Sequence, residues 1–176
     1  AALLLLAWGV GASQTGGGGG GGGDGRGASG AGGQGAGDNP SFTVTFDPIT
    51  VQPGVEHTQC VVKRVGNDEQ IRVHQIHNVL PAGSHHLIVY QTADTVEQPA
   101  PFDCQPFADT LDASKGSPVM ITQKAEDVLT LPDGVAFTFP PGVMVRLEMH
   151  YLNSTGMPLD ISATSTFITA AVIRSR

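Results

Sequence analysis

The chain has 176 residues, 40% of them hydrophobic, and carries 16 acidic against 9 basic side chains for a net charge of −7. No basic cluster interrupts that acidic balance, which argues against nucleic acid and against anionic membrane surfaces as partners. The length fits one domain of ordinary size.

Residues 1–12 open with Ala1-Ala2-Leu3-Leu4-Leu5-Leu6-Ala7-Trp8 and continue in small residues to Ala12. This apolar block is too short to cross a bilayer, and it fits the apolar core of a secretory signal with Val10-Gly11-Ala12 as a cleavage-like site. A membrane anchor is the alternative reading. The expectation is a secreted, periplasmic or cell-surface protein with no stable membrane span once mature. Residues 13–39 are dominated by glycine, including an unbroken run from Gly16 to Gly23. Such a composition offers no apolar surface to offset backbone entropy, so a disordered, flexible linker is expected, with the globular domain occupying residues 40–176.

Within that domain the dominant pattern has period two. Phe42, Val44 and Phe46 alternate with Ser41, Thr43 and Thr45, which predicts a strand ending at Asp47-Pro48. Residues 59–65 and 71–79 are separated by Gly66-Asn67-Asp68-Glu69 and read as a hairpin, with Ile71, Val73, Gln75, His77 and Val79 on one face. A fourth strand follows over 85–90. Residues 93–118, marked by Pro99, Pro101, Pro106 and Pro118, have no clear period and read as an ordered loop pinned by Cys104 over one end of the fold. Short strands are expected at 119–122 and 135–139, with one helical turn within 123–129. Residues 143–151 give the clearest strand: Val143, Val145, Leu147, Met149 and Tyr151 face one way, and Met144, Arg146, Glu148 and His150 the other. The last strand covers 159–167. With no ten-residue helical period anywhere, the fold class is all-β, an antiparallel two-sheet sandwich.

The two cysteines, Cys60 and Cys104, are a natural disulfide in an exported chain, with two free buried thiols as the alternative. The bond would close a loop of about 44 residues and contribute about 3–4 kcal/mol in the chain-entropy picture. Asn153-Ser154-Thr155 matches a glycosylation sequon, a pattern frequent by chance.

Five of the six histidines lie in two stretches, 73–90 and 146–151. Neutral imidazole is the commonest protein ligand for late first-row metals, so three converging rings would suit zinc or copper. His150 sits on the polar side of its strand, where a filler histidine is not expected, and Glu148 or a partner on a neighbouring strand could orient its ring. His85 and His86 are adjacent and point to opposite faces in a regular strand. Both can reach one ion only where the strand begins or is bulged, and Gly83-Ser84 supplies such an irregular start. His77, eight residues before His85, is a candidate additional ligand or supporting residue; His57 reads as a surface residue. Met149 points away from His150 and reads as core.

The stretch Ser84-His85-His86-Leu87-Ile88-Val89-Tyr90, Cys104, and Pro141-Gly142-Val143-Met144-Val145-Arg146-Leu147-Glu148-Met149-His150-Tyr151-Leu152-Asn153 together resemble the N-terminal domain of the type II, ascorbate-dependent copper monooxygenases. That family includes peptidylglycine α-hydroxylating monooxygenase and dopamine β-monooxygenase. The resemblance spans roughly residues 42–167. It implies a jelly-roll-like sandwich, one copper ion on His85, His86 and His150 in the electron-accepting position, ascorbate as donor, and a Cys60–Cys104 bond bracing the histidine pair. The family's second domain supplies a His-x-His pair and a Met for the hydroxylating copper, and this sequence has no histidine after His150. The reading is therefore an electron-transfer domain, a piece of a longer protein or a stand-alone module, whose partner is a second copper domain or another electron acceptor. The rival is a non-catalytic exported sandwich that binds a partner or sequesters metal. A cupin-like enzyme fits less well, since a cupin's His-x-His with a nearby Glu is absent.

Overall fold

The computed structural model describes residues 39–107, 112 and 114–170; the expected signal-like and glycine-rich segments lie outside these, apart from Asn39. Ten strands and no helix are found among the described residues: β1 (Ser41–Val51), β2 (Glu56–Arg64), β3 (Ile71–Val79), β4 (Ser84–Thr92), β5 (Gln98–Asp103), β6 (Gly116–Thr122), β7 (Glu126–Thr130), β8 (Phe137–Phe139), β9 (Met144–Leu152) and β10 (Leu159–Thr169). They form two antiparallel sheets. The first runs β1-β10-β3, with β7 and β8 sharing the far edge of β3; the second runs β5-β2-β9-β4-β6. Apolar side chains at alternate positions meet between the sheets. Phe46, Ile76, Phe139, Ile161 and Phe167 come from the first, and Val61, Leu87, Val89, Leu147 and Met149 from the second. Phe139 and Phe167 pack with ring centroids 5.3 Å apart. This is the all-β sandwich expected from the period-two pattern.

Four local expectations are corrected. β1 does not stop at Asp47-Pro48: one extra residue is accommodated there opposite β10, and Ile49 and Val51 return to the face that Phe42, Val44 and Phe46 began. The segments on either side of Gly66-Asn67 are not a hairpin, since β2 and β3 lie in different sheets. The turn residues are used for a crossover, in which the buried Asn67 amide donates to the Pro140 carbonyl at 2.7 Å and the Glu69 carbonyl at 2.9 Å. Residues 98–103 are a strand rather than loop, and Pro99 and Pro101 are tolerated because β5 is an edge that needs donors on one side only. Residues 126–130 pair with β3 instead of making a helical turn.

Parity is also broken within β3. Between Val73 and Gln75 the register against β10 slips by one, with His74 the extra residue, so Val73 is buried before the slip and Ile76 and Asn78 after it. The expected single face from Ile71 to Val79 is thus split in two.

The outer face of the second sheet is covered as well. Arg146 and Glu148, on the polar side of β9, are both buried. The Arg146 guanidinium lies 4.9 Å from the centre of the Tyr90 ring, and Tyr90 Oη donates to Glu148 Oε2 at 3.0 Å. Cys60 and Cys104 form the expected disulfide, with Cα atoms 5.8 Å apart, which fastens the end of β5 to β2 on this side. Asn153 is fully buried, and its amide nitrogen donates to the Val51 and Met157 carbonyls, so the sequon asparagine is part of the fold.

Candidate metal centre

The site is built where β4 begins. Gly83 turns the chain with φ of +89°, a region open to glycine, and a side chain there would run into Leu159 Cδ2. Ser84 then pairs with Tyr151 and His86 with His150, so two steps along β4 match one step along β9. His85 is the extra residue. This one-residue bulge cancels the alternation that would send His85 and His86 to opposite faces, and it brings both rings against His150 on the next strand.

The three rings converge through one kind of atom. His85 Nδ1 lies 3.3 Å from His86 Nδ1 and 3.3 Å from His150 Nδ1. Two imidazole nitrogens held about 2.0 Å from one ion at a tetrahedral angle stand about 3.3 Å apart, so the two separations from His85 are those of ligands on a shared metal. The ring centroids are 4.8 to 5.6 Å apart, and the candidate ligand atoms of all three residues lie within 4.8 Å of one another. Among the described residues these are the group of histidine, cysteine and acidic side chains that could hold a metal ion.

The remaining ring nitrogens show how the set is oriented. His150 Nε2 lies 3.0 Å from Glu56 Oε1, at the start of β2. A carboxylate accepts, so Nε2 carries the hydrogen and Nδ1 turns a lone pair to the cluster. His86 is 5% exposed, with Phe107 packed on it at 5.1 Å between ring centres and 31° between planes. Burial above all, reinforced by His150 and His85, depresses its pKa from 6.5 to about 4. At neutral pH it is an uncharged imidazole, the form that binds metal. A groove of about 330 Å³, lined by Glu56, His57, Thr58, Cys104, Pro106 and His150, opens beside the cluster.

His85, His86 and His150 are thus brought together, and the other two candidates lie elsewhere. His77 is on the first sheet, where its Nε2 meets Glu126 Oε1 at 2.8 Å; β3 is not a neighbour of β4, so it cannot approach the pair as expected. Glu148 does not orient His150: its two oxygens accept from Tyr90 Oη and from the Phe107 backbone N–H. His57 meets Asp103 at 2.9 Å. Met149 is buried in the core. The supporting carboxylate is Glu56, which sequence reasoning missed because nothing local marks it. Only the register, which sets Thr58 opposite His150, brings Glu56 within reach.

No protein-family model matches the chain, and no curated protein matches it.

Proposed function

We propose that this is a copper-binding electron-transfer domain of the kind found in type II, ascorbate-dependent copper monooxygenases. His85, His86 and His150 would hold one ion through their Nδ1 atoms. The observation that carries the reading is the approach of His86 Nδ1 and His150 Nδ1 to His85 Nδ1 at metal-ligand spacing, around a bulge placed at His85. It stands beside the resemblance of the His-His stretch and the Leu147-Glu148-Met149-His150-Tyr151 strand to that family. When bound, copper supplies one-electron chemistry between its +1 and +2 states. The chain's own contribution is to present His86 as a neutral imidazole, to fix His150 through Glu56, to cover His86 with Phe107, and to leave the exposed His85 and the groove beside His150 open to a reductant.

Ascorbate is the proposed donor, and a second copper domain or another acceptor the proposed partner. In this proposal the ion on His85, His86 and His150 carries electrons, and hydroxylation is assigned to that partner. A secreted, periplasmic or cell-surface location accords with the disulfide, and no helix among the described residues is long and apolar enough to cross a membrane.

The rival is a metal-sequestering or binding module that holds zinc. It is favoured by one observation: three imidazoles with an open fourth position also suit zinc, and Met149, the thioether nearest in sequence to His150, is turned into the core. Metal analysis followed by electron paramagnetic resonance separates the two. The expected result is about one copper per chain, with a copper(II) signal that ascorbate abolishes. A chain that retains zinc and no copper at micromolar metal contradicts the proposal.

A further inference from the structure

The short segment after the disulfide crosses the outer face of the second sheet and is held at two points. Cys104 is bonded to Cys60 on β2, and three residues later the Phe107 N–H donates to Glu148 Oε1 at 2.9 Å. Glu148 is 2% exposed, and its other oxygen accepts from the fully buried Tyr90. A buried carboxylate with both oxygens engaged cannot swing away without stranding one donor, which makes it a fixed acceptor for the Phe107 amide.

Phe107 itself is unusual in two respects. Its φ is +57°, the one left-handed backbone among described residues other than glycine, and a bulky L residue keeps that conformation only where its surroundings impose it. Its side chain is also among the exposed large hydrophobics, yet the ring lies over His86, which is itself 5% exposed. The residue is 44% exposed, so its own burial is only partial. What its position accomplishes is the exclusion of water from one imidazole of the cluster.

We infer that Glu148 is a positioning residue, whose carboxylate acts through the Phe107 amide to hold the Phe107 ring over His86 and close that side of the three-nitrogen site. Its use in electron transfer rests on the proposed function. The shield keeps solvent and exogenous ligands from the His86 side, so that exchange at the site proceeds from the side of His85 and of the His150 groove. Glu148 therefore serves the site by a route unlike the one expected from its place two residues before His150.

The experiment uses the full chain without metal, and follows acylation of individual histidines by diethyl pyrocarbonate with mass spectrometry. Glu148→Leu, which removes both acceptor oxygens, and Phe107→Ala are both expected to speed acylation of His86 at least tenfold, with His57 and His77 unchanged, while Phe107→Tyr retains protection. Acceleration in Phe107→Ala with none in Glu148→Leu overturns the inference, because the ring would then hold its place without the carboxylate. Hydrogen exchange on the unaltered chain gives a second measurement that survives any failure of Glu148→Leu to fold: the Phe107 amide, in a segment outside the strands, should exchange at least tenfold more slowly than an unbonded amide. Exchange at the free rate overturns the inference. Since neither readout needs an ion, failure of the chain to bind copper would contradict the proposed function while leaving these results to be judged separately.

Discussion

His77 and His150 look alike at close range: each is on a strand, and each turns Nε2 to a glutamate on the neighbouring strand, Glu126 at 2.8 Å and Glu56 at 3.0 Å. Yet one belongs to a three-nitrogen cluster and the other to a partly exposed hydrogen bond. The difference lies in the strand beside them. Next to His150, β4 carries an extra residue at His85 that swings a second and a third imidazole to the same spot. The slip nearest His77 is at His74, and there the bulged histidine leaves a buried Nδ1 with no hydrogen-bond partner and no second ring. A carboxylate can orient an imidazole anywhere on a sheet; a ligand set requires a break in alternation beside it.

The largest expected effect falls on the ligands. Alanine at His85, His86 or His150 should each lower copper affinity at least about a hundredfold, since one of three protein ligands is lost, while His77→Ala leaves binding unchanged. Titration with a competing chelator reads the difference, and equal losses at His77 would erase the distinction drawn above. The two glutamates sharpen it further. Glu56→Gln should cost about 10–100-fold in metal affinity, the usual range for a carboxylate that orients a ligating histidine, and Glu126→Gln should cost nothing.

The bulge can be probed through its glycine. Gly83→Ala puts a side chain at φ of +89° and against Leu159 Cδ2, so folding stability should fall by about 1–3 kcal/mol, seen as a lower denaturant midpoint with the slope retained. A neutral effect would mean that β4 can begin elsewhere. The smallest effect expected is on pH. His86 titrates near 4 in the folded chain against 6.5 as the ordinary value, so between those limits the unfolded chain binds the extra proton. The stability of the metal-free protein should be fully present above about pH 6.5, decline as pH falls toward 4, and lose its dependence on this residue below that. In His86→Gln that part of the decline should disappear.

Much of the architecture was legible beforehand, and the reason is simple alternation. β9 and β10 read directly as strands, and the parity argument for His85 and His86 already required a bulge or a strand start at Gly83-Ser84, where it is found. The parts that were not legible depend on which strands become neighbours. Gly66-Asn67 has the chemistry of a hairpin turn and serves a crossover, because Asn67 finds the Pro140 carbonyl far along the chain. Arg146 and Glu148 have the pattern of a solvated face and are buried, Glu148 beneath the Phe107 amide of the disulfide-anchored segment and Arg146 against the Tyr90 ring. Glu56 became a site residue only through pairing of β2 with β9. Composition and period carry information along one strand, and the site needs three.

The central claim is that three imidazoles meet at one ion. X-ray absorption on the copper-loaded protein tests it most directly: the account requires three histidine nitrogens at about 2.0 Å, the usual metal–imidazole length, falling to two in His150→Ala. A spectrum showing one imidazole, or one unchanged by His150→Ala, would contradict it.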